Sequence, residues 1–204
     1  MKKRYVLLST IILCLGIIMN GCGKKAPTDS SSQSSELLSG KHHISIEVSN
    51  YGTIKAELDA DTAPITVTNF INLANSGFYD GLTFHRVIDG FMIQGGDHEG
   101  NGTGGSSEKI KGEFSNNGID NNISHTRGTI SMARSSAYNS ASSQFFIMQK
   151  DTTSLDGQYA AFGTVTDGMD IVDKICKDCT DTNQNGVITD KSKQPVITKI
   201  SVID

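Results

Sequence analysis

Apolar and polar residues alternate along this chain with two different periods. A period of two runs through His43-Ile44-Ser45-Ile46-Glu47-Val48. It resumes in Thr53-Ile54-Lys55-Ala56-Glu57-Leu58, after Asn50-Tyr51-Gly52. Successive strand side chains point to opposite faces, so this predicts two half-buried strands joined by a turn. The period then lengthens. Pro64 is followed by Ile65, Val67, Phe70, Ile71, Leu73 and Ala74, and Gly77 ends the run. That spacing predicts a helix over 64–76, with Pro in the first turn and Gly at the C′ position. Two short apolar runs then flank Asp89-Gly90, a hairpin signal because Gly accepts positive φ. Further strands are expected over 128–133, 143–148, 160–165 and 195–203. A second helix is expected over 169–177, carried by Met169, Val172, Ile175 and Cys176. No internal repeat is visible.

The N-terminus follows neither period. Lys2-Lys3-Arg4 precedes an apolar run from Tyr5 to Met19, too short to span a bilayer comfortably. The run ends at Asn20-Gly21-Cys22, which resembles a bacterial lipoprotein signal over 1–22. Cys22 would then receive the lipid, palmitate among its acyl chains, and become the mature N-terminus. An uncleaved anchor and an ordinary secretory signal are the alternatives. Residues 23–40 contain Ser30-Ser31-Ser32-Gln33-Ser34-Ser35 and read as a flexible linker with a reach of roughly 25 Å. The expected location is the cell membrane, lipid-anchored on its extracytoplasmic face, with the folded domain over 41–204.

Composition narrows the picture. The 204 residues include 21 Gly, 3 Pro and no Trp, which suits a turn-rich all-β fold with two capping helices. Removing residues 1–21 deletes three cations and no acid, taking the formal charge from -4 to -7. An acidic domain argues against nucleic-acid binding.

Candidate chemistry is concentrated in the central hairpin. Arg86 lies inside an apolar run, where a charge is costly unless paired. It is either a rim Arg held by a carboxylate or a functional group. The five His residues show no metal-ligand spacing, and no G-x-S-x-G is present. The Gly-rich stretch 100–105 lacks the Lys-Ser/Thr of a phosphate loop and reads as a loop bordering a groove. Cys176-Lys177-Asp178-Cys179 reads as a structural disulfide or two inert thiols at a helix end, rather than a redox pair. Asp181-Thr182-Asn183-Gln184-Asn185-Gly186 resembles the start of a calcium loop, but Ser192 stands where the bidentate Glu belongs. A polar loop with a Gly turn is the expected reading of 181–192.

Taken together, Phe84-His85-Arg86-Val87-Ile88 and Gly90-Phe91-Met92-Ile93-Gln94-Gly95-Gly96-Asp97 resemble the signature of cyclophilin-type peptidyl-prolyl isomerases. Asn101-Gly102-Thr103-Gly104-Gly105, Ser131-Met132-Ala133, Ser143-Gln144-Phe145-Phe146-Ile147, Leu155-Asp156-Gly157 and Phe162-Gly163 follow in the family's order. The resemblance covers about 43–204 and implies a closed eight-stranded antiparallel barrel with two helices. It implies rotation of X–Pro bonds, with proline-containing unfolded or extended chains as partners, and the leader makes these exported polypeptides. A module that binds Pro-containing segments without useful turnover and a surface scaffold are the alternatives. A monomer without cofactor is expected. Arg86 and Gln94 are the implied catalytic residues. Phe91, Met92, Gly102, Ala133, Gln144, Phe146 and Leu155 are the implied substrate-binding residues. Arg134 and Tyr159 belong to the same site, where animal members usually have Asn and His. Ser154 replaces a frequent Trp, which predicts weak binding of cyclosporin.

Overall fold

The computed structural model describes residues 36–204. The expected signal segment with its Cys22, and residues 23–35 of the expected linker, lie outside the described residues. Residues 36–40 lie on the domain. The Leu38 N–H donates to Thr68 Oγ1 at 2.9 Å, and its side chain packs against the core.

The alternating stretches form β1 (Lys41–Val48) and β2 (Gly52–Asp59), and Pro64 opens α1 (Pro64–Asn75). The central hairpin is β3 (Arg86–Ile88) and β4 (Met92–Gly95), turned by Gly90 at φ +76°. Then come β5 (Thr129–Met132), β6 (Phe145–Met148), β7 (Ala161–Asp167), α2 (Met169–Asp178) and β8 (Ile197–Val202). All strand pairs are antiparallel, in the order β3-β4-β6-β5-β7-β2-β1-β8.

The expected closed barrel is corrected here: the sheet is an open half-barrel. Its edges are β3 and β8. The reason is local. β3 is three residues long, and its outer edge meets the loop 186–188 instead of a strand. The Val87 N–H donates to Gly186 O at 2.8 Å, and the Ile188 N–H donates to His85 O at 2.9 Å. Near β8 the gap is crossed by the isolated bridge Thr83↔Val196.

The main core draws on both helices and most strands. Phe70 of α1 meets Tyr79, Phe145 and Phe162 at ring separations of 5.0, 5.3 and 5.2 Å. The start of α1 has Ala63 at its N-cap and no local side-chain cap. A distant carboxylate replaces it: Glu113, buried, accepts from the Ile65 and Thr66 N–H groups at 3.0 and 2.8 Å. Such a cap satisfies donors that a helix start leaves orphaned, and the negative charge suits that end of the helix dipole. On α2, Val172, Ile175 and Cys176 face inward. Cys176 and Cys179 are free thiols, and burial pushes the Cys176 thiol up to about 12. A thiol held protonated in this way is a poor nucleophile, which fits two inert thiols at a helix end.

Candidate active site

Period two along the hairpin sorts its residues to two faces. Val87, Ile93 and Ile147 enter the main core. Their neighbours Met92, Phe146 and Met148 form a second, outer cluster with Ile88, Phe91, Ala133, Leu155 and Tyr159. Strands buried on both faces read as unbroken apolar runs, which is why 84–97 looks so hydrophobic.

That outer cluster floors a groove of about 410 Å³. Arg86, Gln94, Phe91, Met92, Gly102, Ala133, Arg134, Phe146, Leu155 and Tyr159 all line it. Of the expected site residues, Gln144 alone lies beside it, in an adjoining polar depression of about 250 Å³ that shares Gln94, Gly102, Ala133 and Arg134. Two lining residues, Asn185 and Val187, were missed by the sequence reading.

The polar edge of the groove is a relay of hydrogen bonds. The sheet register places Arg86 opposite Gln94, and Gln94 opposite Phe146. Arg86 Nη1 donates to Gln94 Oε1 at 3.0 Å, and Gln94 Nε2 donates to Gln144 Oε1 at 2.8 Å. Gln144 Nε2 then donates to Gly104 O at 2.7 Å. From its other side, Arg86 Nε donates to Asn185 O at 2.8 Å. Among the described residues no carboxylate lies within ion-pair distance of Arg86, so the rim-Arg reading is set aside. Burial lowers its guanidinium pKa. The adjacent His85 is fully buried, and among the described residues neither of its ring nitrogens finds a partner. Burial lowers its pKa too, with Asp97 opposing, so the neutral ring is favoured beside the cation.

The Gly-rich loop is wrapped around its own anion. Burial pushes the Asp97 carboxyl up, but three backbone N–H groups outweigh that and hold it below the usual range. They come from Glu99, Asn101 and Gly102, at 2.9, 3.1 and 2.6 Å. The donors therefore face inward, and the loop borders the groove rather than cradling a phosphate.

Beneath Phe146 lies His125, missed by the sequence reading. The two rings stack at 6.0 Å with an interplanar angle of 19°. Its ring nitrogens reach Asp156 Oδ1 at 2.8 Å and Ser131 Oγ at 3.0 Å. Tyr159 meets Phe146 edge-on at 5.8 Å. Arg134, at the position where animal members usually have Asn, stacks over Phe114, Tyr138 and Tyr159 at 5.1, 5.0 and 4.7 Å. The calcium-like loop closes on itself: the Asp181 carboxylate pairs with Lys193 Nζ at 2.7 Å.

Residues 43–202 match the family model described as cyclophilin type peptidyl-prolyl cis-trans isomerase/CLD. The peptidyl-prolyl cis-trans isomerase A of Dickeya dadantii is 48% identical over 133 residues, covering 61% of this chain and 66% of that protein. The peptidyl-prolyl cis-trans isomerase B of Escherichia coli is 43% identical over 156 residues, covering 72% of this chain and 92% of that one. A crystal structure of a Cryptosporidium parvum cyclophilin type peptidyl-prolyl cis-trans isomerase, in the presence of the dipeptide Ala-Pro, superposes with a TM-score of 0.69 at 32% identity. That match covers 79% of this chain and 99% of the other.

Proposed function

This chain belongs to the cyclophilin-type peptidyl-prolyl cis-trans isomerase family, and from that premise we propose that Arg86 drives X–Pro rotation in exported polypeptides at a membrane surface. The chain is a peptidyl-prolyl cis-trans isomerase; the roles of its residues, its clients and its tether are the proposal.

The X–Pro bond is the one peptide bond with a sizeable cis population. Its barrier of about 18–20 kcal/mol comes from amide resonance that rotation breaks. No σ bond is cleaved, so the chemistry calls for no nucleophile. It calls for a site that favours the twisted amide over both planar forms. Twisting returns a lone pair to the prolyl nitrogen. An Arg86 N–H can donate to that lone pair only in the twisted state, a selective contribution on the order of 3 kcal/mol. Phe91, Met92, Phe146 and Leu155 form the apolar slot for the pyrrolidine ring, which is gripped while the preceding carbonyl swings. Gln94 holds both the guanidinium and a substrate carbonyl. A 10⁵-fold acceleration needs about 7 kcal/mol, so the grip and Gln94 supply the remainder.

The single observation that carries this reading is a half-buried guanidinium, unpaired with any carboxylate among the described residues, bordering an apolar slot. The relative crystallised in the presence of Ala-Pro supports a proline-containing ligand. The tether rests on the basic start, the short apolar run and Cys22. A proline-isomer assay on a short Ala-Pro peptide tests the chemistry. Arg86→Ala should abolish most turnover while peptide affinity persists; unchanged turnover would refute the role. Detergent phase partition of the full chain tests the tether. Cys22→Ser should move the protein to the aqueous phase, and no change would refute lipidation.

A further inference from the structure

We propose that the calcium-like loop 183–187 is the device that fixes the Arg86 guanidinium, with Asn183 and Gly186 as positioning residues. This rests on the reading that Arg86 acts on the prolyl nitrogen.

Asn183 organises the loop. Its Oδ1 accepts from the Asn185 N–H at 2.9 Å and the Val187 N–H at 3.1 Å. Its own N–H donates to Val187 O at 2.9 Å, and its carbonyl accepts from the Gly186 N–H at 2.9 Å. Oxygens that a calcium loop would turn toward a cation are thus satisfied from within.

The loop is then seated on the free edge of β3. Gly186 lies flat against that strand with φ +81°. A Cβ there would collide with Ile88 Cγ1 and stand 3.0 Å from Val87 O, so a side chain has no room. The seat is held by the Val87–Gly186 and Ile188–His85 hydrogen bonds, which flank the bridge Arg86↔Val187.

Seating the loop delivers the Asn185 carbonyl to Arg86 Nε. Gln94 holds Nη1. A guanidinium is planar and carries five N–H donors, so two anchors on different nitrogens fix its plane and leave three donors. Orientation is where such a group gains or loses its effect, because a misplacement of about 1 Å can cost on the order of 10²-fold in rate.

Asn183 is exposed, so its replacement leaves the core intact. Asn183→Ala removes the acceptor, and Asn183→Asp keeps it. The probes are an Ala-Pro peptide at saturation and the Arg86 Nε–H resonance of the full chain. Asn183→Ala should slow isomerisation on the order of tenfold, leave peptide Kd within about twofold, and shift and broaden the Nε–H signal. Asn183→Asp should restore both, and in an Arg86→Ala background Asn183→Ala should cause no further loss. The inference is overturned if Asn183→Ala keeps the wild-type rate, if its loss is equal in the Arg86→Ala background, or if Asn183→Asp fails to restore it. In those cases the Arg86 reading still stands. If Arg86→Ala itself keeps full rate, that reading falls and takes the loop's role with it.

Discussion

Arg86 and Arg134 line one groove and are held in opposite ways. Arg134 lies among three rings and donates through Nε and Nη2 to Gln158 O, and through Nη1 to Ser135 O. Each of its nitrogens is committed, and its plane is part of the wall. Arg86 is held at Nε and Nη1 alone, and its Nη2 has no partner among the described residues. A third arginine shows the common alternative: Arg127 meets Asp173 through both Nη atoms at 2.8 and 2.7 Å. The lesson is about availability. A guanidinium paired to an acid or covered by rings has little left for a ligand. One held by two neutral acceptors keeps its charge and some of its donors.

The sharpest test of that difference is to remove each arginine in turn. Arg86→Ala should lower kcat/KM about 10²-fold, the equivalent of the roughly 3 kcal/mol assigned to it, with a melting temperature close to wild type. Arg86→Lys should recover little, because an ammonium cannot be gripped at two nitrogens in one plane. Steady-state kinetics on an Ala-Pro peptide reads both. Gln94→Leu frees Nη1 while leaving Nε held, and should cost about tenfold in kcat, less than removal of the cation.

Arg134→Ala should reverse the pattern. Losing its stacked contacts should destabilise the fold by about 1–2 kcal/mol in urea titration, while kcat changes by less than about threefold. A hundredfold loss of kcat there would erase the distinction between the two arginines.

Acid gives a gentler discrimination. Burial lowers the pKa of His85 beside Arg86, and of His125 beneath Phe146, where Asp156 opposes but does not outweigh it. The unfolded chain then takes up these protons at a higher pH than the folded one. Their contribution is complete above the ordinary histidine value of 6.5 and is lost as pH falls below it. Melting temperature should therefore decline on acidification below about 6.5, and replacing His125 with Gln should flatten that decline. A decline of equal steepness in His125→Gln would assign it elsewhere.

Much of this was legible in the chain. Alternation located β1 and β2, and a period near 3.6 located α1 and α2 to within a residue or two. The hairpin and its two-faced sorting followed from Asp89-Gly90 and the runs around it. What escaped depends on partners far apart in sequence. Closure of the sheet was overstated because β3 is short and its edge is met by residues a hundred positions later. Asn185 acts through a backbone carbonyl, which no side-chain pattern announces. His125 carried no motif, since its task is set by Phe146, Asp156 and Ser131 arriving from three other places. Arg134 read as a departure because animal members usually have Asn there; the rings that hold it, Phe114, Tyr138 and Tyr159, are scattered along the chain and gave no signal.

The most direct measurement is exchange NMR on a proline peptide saturating the enzyme, which separates the cis–trans rate of bound peptide from its affinity. With Arg86→Ala the bound-state rate should fall about 10²-fold while Kd stays within about threefold. A bound-state rate equal to wild type, with the loss appearing in Kd instead, would show that Arg86 grips the ground state and does not assist the rotation.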